Sequence, residues 1–125
     1  MAPLPESIQV WRGVRDTEKA FGVRADRLEE IVGRTYDVPA FFATSLDRAG
    51  AESEFTRPGP QPALRRIAAQ AGTPALWIPP LGRGEDAYQR ELLFPPRVVV
   101  RTLGVRRASE VPVAEVEVSD GQVGR

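Results

Sequence analysis

"AYQRELLFPP" spans Ala87 to Pro96, and the architecture turns on how it is read. Leu92, Leu93 and Phe94 form an apolar run stopped by Pro95 and Pro96, which predicts a strand over residues 89–96. Alternate side chains of an extended segment share a face, so Gln89 and Glu91 project together with Leu93, while Leu92 and Phe94 project the other way. An amide and a carboxylate therefore look into one space. A carboxylate beside apolar neighbours can stabilise a developing cation such as an oxocarbenium ion, and the amide can orient the attacking group. A glutamate at a strand entrance is also commonly just solvated.

Outward from this stretch, "PALWIPPL", "RVVVRTLGV" and "VPVAEVEV" read as further strands, each punctuated by Pro or Gly. Towards the N-terminus, "IQVWRGV" (Ile8 to Val14) alternates as a strand, with Ile8, Val10, Arg12 and Val14 on one face. Phe41 to Ser45 is a sixth candidate, rich in aromatic and β-branched residues after a proline. "RADRLEEIVGR" predicts a short helix with Ala25, Leu28, Ile31 and Val32 on its apolar side, a capping signal in Asp26 and Glu29, and a stop at Gly33. "ALRRIAAQAG" predicts a second helix on Leu64, Ile67, Ala68 and Ala71, closed by Gly72. The turn-rich "GAESEFTRPGPQP" between them predicts a surface loop, and residues 119–125 a frayed tail. Helices early and strands late suggest an α+β fold rather than alternating βαβ units.

With 125 residues, 42% of them hydrophobic, the chain is the size of one domain and can bury roughly two-thirds of its unfolded surface. Seventeen basic and seventeen acidic residues cancel, so no bulk positive field exists to gather nucleic acid or anionic lipid. The absence of His and Cys rules out a Ser-His-Asp triad, a thiol nucleophile and a zinc site of the usual N/S kind. The single lysine, Lys19 in "DTEKAFG", lacks the P-loop spacing, and no GxGxxG follows a strand. "MAPLPESIQV" has neither a basic nor an apolar leader region, and no stretch reaches the ~18 apolar residues of a membrane span. The expectation is a soluble chain that needs no metal or membrane and whose compartment stays open.

Two more features exceed what folding requires. Arg12 stands among aliphatics, where a guanidinium needs an anion, either an acidic side chain of the protein or a ligand phosphate. Thr44 and Ser45 end an apolar strand with two hydroxyls, which ordinarily cap a turn or the next helix.

Taken in order, "VWRG", "FFATS" and "QRELLFPP" resemble the R-S-E class of ADP-ribosyltransferases, whose motifs are an aromatic-Arg-Gly strand, a Ser-Thr-Ser strand and a Gln/Glu-x-Glu entering an apolar strand. The resemblance covers Val10 to Val105. It implies a compact fold of mixed β-sheets forming a small split sandwich, with short helices mostly in the N-terminal half. It further implies a bacterial, toxin-like or effector mono-ADP-ribosyltransferase domain that uses NAD+ as substrate. By the same resemblance Arg12 would bind an NAD+ phosphate and the backbone of Gly13 the nicotinamide amide. Thr44 and Ser45 would support the nicotinamide pocket, and Phe55 would lie against its ring. Glu91 would bond the ribose 2′-hydroxyl and stabilise the oxocarbenium ion, Gln89 would orient the acceptor, and Tyr88 and Arg90 would flank it. Gln at the first position goes in the family with acceptors other than arginine, so a protein acceptor leads and a nucleic-acid acceptor follows. A cognate inhibitor or immunity protein would fit a toxin. Ala43 stands where the family has the first hydroxyl of its triplet. An NAD+ glycohydrolase, or a degenerate module that binds NAD+ without turnover, are the alternatives.

Overall fold

The computed structural model describes residues 1–52, 59–78 and 91–121. In chain order these form β1 (Ala2–Pro3), β2 (Ile8–Val14), α1 (Thr17–Phe21), a 3₁₀ helix (Ala25–Ile31), β3 (Thr35–Asp37), β4 (Phe42–Ser45), α2 (Arg48–Glu52), β5 (Ala63–Ala69), β6 (Pro74–Ile78), β7 (Glu91–Phe94), β8 (Val98–Arg106) and β9 (Val113–Asp120). The strands lie in the order β1-β6-β7-β4-β2-β5-β9-β8-β3. Every described neighbouring pair is antiparallel except β5 and β9.

One junction sets the architecture. β2 runs in register with β5 over its whole length but meets β4 only through Trp11 opposite Ser45. The sheet therefore divides there into two leaves, β1-β6-β7-β4 and β2-β5-β9-β8-β3. Phe42, Leu92 and Phe94 of the first leaf and Val10, Ile67, Val100, Val116 and Val118 of the second join one core, and Leu28 and Ile31 of the 3₁₀ helix close it. This is the α+β split sandwich expected from the sequence. A smaller cluster of Trp11, Leu64, Val113 and Ala51 lies under α2.

The expected helix at 63–72 is a strand. Leu64, Ile67 and Ala68 do recur at helical spacing, yet Ala63, Arg65, Ile67 and Ala69 alternate equally well, and β5 sits between β2 and β9. Leu64, buried on the face opposite Ala63, Arg65, Ile67 and Ala69, blurs that alternation, and two full ladders override the helix preference of Ala and Arg. The expected helix at 24–34 forms as a 3₁₀ helix, capped by Arg24 without a side-chain bond. Asp26 pairs with Arg24 at 3.2 Å instead of capping, and Val32, expected on the apolar side, is exposed. The expected loop at 50–62 begins inside α2, and the expected frayed tail begins inside β9, which holds Ser119 and Asp120. Strand β4 starts at Phe42, leaving Phe41 exposed.

Helix α1 went unread. Asp16 caps it by accepting from the backbone N–H groups of Glu18 and Lys19, and Gly22, at a φ of 78°, ends it. The edge strands β1 and β3 were also unread, being too short to carry a period.

Candidate functional site

Three adjacent strands put Trp11, Ser45 and Glu91 side by side, because Trp11 pairs with Ser45 and Ser45 with Glu91. Directly opposed residues face the same way. Glu91 and Leu93 are half-buried while Leu92 and Phe94 are buried, which is the alternation expected from the sequence. Ile78 flanks Glu91 from the far side. Among the described residues Glu91 makes no ion pair.

The two hydroxyls divide their work. Thr44 is buried and its Oγ1 donates to the Leu92 carbonyl at 2.8 Å, tying β4 to the strand that carries Glu91. Ser45 faces Glu91, yet its Oγ donates to the Asp47 carbonyl and accepts from the Asp47 N–H, both at 3.1 Å. That is the turn-capping role ordinary for such a hydroxyl, and Asp47 passes it on by accepting from the Ala49 N–H at 3.0 Å. Ala43 pairs with Leu93, so the missing hydroxyl lies on the face of Glu91.

Arg12 follows Trp11 and points to the opposite face, into the split between the leaves. Its Nη1 donates to the Ala43 carbonyl at 2.6 Å, and its guanidinium lies 5.1 Å from the centre of the Phe42 ring. The ion pair considered from the sequence is not formed among the described residues. A main-chain carbonyl and a ring face satisfy the cation where β2 and β4 diverge. Gly13 follows, buried and opposite Leu64.

Sequence reading missed Arg65. It is the cross-strand partner of Arg12, and its guanidinium lies 5.0 Å from the same Phe42 ring and 5.5 Å from Phe21. Its Nη1 donates to the Tyr36 hydroxyl at 3.3 Å. Two guanidinium groups thus share one aromatic platform. The forked guanidinium geometry matches phosphate oxygens. The signal was present in "ALRRIAA": an arginine two residues from aliphatics on either side, the same pattern that singled out Arg12, had period 2 been applied.

Gln89, Tyr88, Arg90 and Phe55 lie outside the described residues. Among the described residues no group of three or more Asp or Glu could hold a metal ion, and no helix is long and apolar enough to cross a membrane.

The arrangement of strands and short helices recurs in solved structures. C3larvin toxin, an ADP-ribosyltransferase from Paenibacillus larvae, superposes with a TM-score of 0.66 at 20% identity, over 94% of this chain and 64% of that one. Plx2a, an ADP-ribosyltransferase toxin from Paenibacillus larvae, gives 0.69 at 18% identity, over 93% and 63%. An ADP-ribosyltransferase from Clostridium botulinum gives 0.70 at 14% identity, over 95% and 63%. The chain has the ADP-ribosyltransferase fold. It spans a little under two-thirds of the length of these three proteins. No protein-family model and no curated protein sequence matches it.

Proposed function

We propose that this chain is the catalytic core of a mono-ADP-ribosyltransferase, which cleaves the nicotinamide-ribose bond of NAD+ and passes ADP-ribose to a macromolecular acceptor. The observation that carries this reading is the seam itself: Glu91 faces Ser45 across β7 and β4 on one side of the sheet, and where β2 and β4 part, Arg12 and Arg65 share the Phe42 ring on the other. Two forked cations suit the two negative charges of a pyrophosphate. The Gly13 backbone would hold the nicotinamide carboxamide. As the C–N bond breaks, its electron pair goes to the pyridinium nitrogen and positive charge develops at the ribose C1′. The Glu91 carboxylate, bonded to the neighbouring 2′-hydroxyl, stabilises that charge while the acceptor attacks C1′ and gives up a proton. Thr44 fixes the strand beneath, and Ser45 and Phe55 border the nicotinamide.

Gln89 would orient the acceptor between Tyr88 and Arg90. A glutamine there favours a protein acceptor other than arginine, with a nucleic-acid base second, in a toxin or effector of bacterial type with a cognate inhibitor.

The test is nicotinamide release from NAD+ by the wild type beside Glu91→Gln, without acceptor and then with a cell lysate. Release that depends on Glu91, with labelling of lysate components, is expected. Equal release by a folded Glu91→Gln protein sinks the reading. Free ADP-ribose as sole product, whatever the acceptor, makes the chain a glycohydrolase. Ala43 favours a second reading, a degenerate module, since no described hydroxyl bonds Glu91. An inert wild type that gains turnover in Ala43→Ser selects it.

A further inference from the structure

At the seam the two leaves are joined by little. β2 and β4 share the single pair Trp11–Ser45, and Arg12, next along β2, bonds the Ala43 carbonyl from the inner side of the sheet. The outer side is spanned by α2. That helix is rooted in the first leaf: the Ser45 hydroxyl bonds the Asp47 main chain in both directions, and the Asp47 side chain and carbonyl accept from the N–H groups of Ala49 and Ala51. It is seated on the second leaf. Ala51 is fully buried in the cluster with Trp11, Leu64 and Val113, and the Arg48 guanidinium lies over the Trp11 ring, 5.2 Å from its centre, steadied by a 2.6 Å bond to Glu52. Arg66 reaches the same ring from β5, at 6.0 Å. An indole flanked by two cations is a firm seat, because each guanidinium is drawn to the ring face and covers it from water.

The proposed reaction needs the leaves in a fixed relation. Glu91 belongs to the first leaf, whereas Arg12 and Arg65 belong to the second and lie on the other side of the sheet. A pyrophosphate held by the cations decides where the ribose falls, so the angle at which β2 and β4 part decides whether the carboxylate reaches it. An error of about 1 Å in such placement can cost about 100-fold in rate. An anion on Arg12 also competes with the Ala43 carbonyl for the same guanidinium, which weakens the inner tie when the donor is bound and leaves the outer one to hold the angle. We propose that Trp11 is a positioning residue: clasped by Arg48 of α2, it sets the separation of the leaves and thereby the distance from Glu91 to the cation pair. The catalytic consequence rests on the transferase reading, but the fastening of the leaves by Trp11 does not.

The test measures the leaf separation directly. The chain has no cysteine, so Ala68→Cys on β5 and Leu76→Cys on β6, both exposed, give one spin label on each leaf for pulsed electron spin resonance. The labelled parent is compared with Trp11→Leu, Trp11→Phe, Arg48→Met and Val113→Ala, each first shown to be folded. Trp11→Leu should shift or broaden the distance distribution by about 1 Å or more, and Arg48→Met should do so to a lesser degree. Trp11→Phe keeps a ring for both cations, and Val113→Ala thins the same cluster within the second leaf alone, so both should match the parent. In nicotinamide release without labels, Trp11→Leu should lose at least about tenfold in kcat with KM changed by less than about threefold, because both cations stay on one leaf, and Trp11→Phe should recover most of the loss. A distribution unchanged in Trp11→Leu, one broadened as much by Val113→Ala, or a rise in KM as large as the loss in kcat overturns the proposal. Should Trp11→Leu fail to fold, Arg48→Met decides, and an unchanged distribution there overturns it equally. A wild type that releases no nicotinamide, with leaves that part in Trp11→Leu, refutes the transferase reading alone.

Discussion

Replacing Phe42 by leucine removes the platform on which both seam cations rest. The ring is 4% exposed, lies 6.1 Å from the Phe94 ring, and carries Arg12 at 5.1 Å and Arg65 at 5.0 Å. Loss of one to two buried methylene equivalents costs about 1–1.5 kcal/mol. The aromatic pair adds about 0.5–1.5 kcal/mol. Each cation over the ring contributes about 0.5–1 kcal/mol where water reaches it and more where it does not. Together Phe42→Leu should destabilise the chain by about 3–5 kcal/mol, read as a shift in the urea midpoint at constant m. A double-mutant cycle with Arg12→Met isolates the guanidinium-ring contribution, expected at about 0.5–2 kcal/mol. A coupling below about 0.3 kcal/mol would refute the claim that the ring holds Arg12, leaving the Ala43 carbonyl as its whole anchor. In NAD+ turnover the same variant should raise KM more than it lowers kcat, because it loosens the cations and leaves Glu91 in place.

Thr44→Val keeps shape and burial but removes the donor to the Leu92 carbonyl, and should cost about 1 kcal/mol in chemical denaturation, with the loss absent if that bond adds nothing to the ladder. Glu29 accepts from Arg107 Nε and Nη2 at 2.7 Å, which with a backbone bond lowers its pKa to about 2. A carboxylate depressed on folding stabilises the fold above its unfolded pKa and loses that contribution as pH falls towards its folded value. The difference in melting temperature between wild type and Glu29→Gln should therefore be present at pH 6, shrink below pH 4.5 and vanish near pH 2. Both partners are about half-exposed, so the difference is small and should fall with added salt.

Strands β2, β4, β6, β7, β8 and β9 were legible because each is a short apolar or β-branched run ended by Pro, Gly or a polar turn. So was the oddness of Arg12, since a guanidinium at an aliphatic position shows in a single strand. What the sequence could not show was the pairing. Ser45 faces Glu91 through a register between segments far apart in the chain, and a slip of one residue would have turned Glu91 to the core. Arg65 stayed hidden because Leu64, buried on the other face of β5, spaces with Ile67 and Ala68 as a helical stripe would, and reading it as a helix scattered the alternation that marks Arg65 as the partner of Arg12.

The place of β9 has a kinetic consequence. It enters between β5 and β8, and its pairing with β5 is parallel and joins residues far apart in sequence. Such pairings are slow, since a long loop must close before any contact rewards it. Until β9 arrives, β5 presents a bare hydrogen-bonding edge and an uncovered apolar face, the state most open to chaperones and proteases and most prone to self-association. A chain held at that stage has no closed second leaf behind Arg65. The Arg12–Arg65 pair, built from β2, β5 and the Phe42 ring, does not need β9, so the late step closes the leaf around the cations rather than bringing them together.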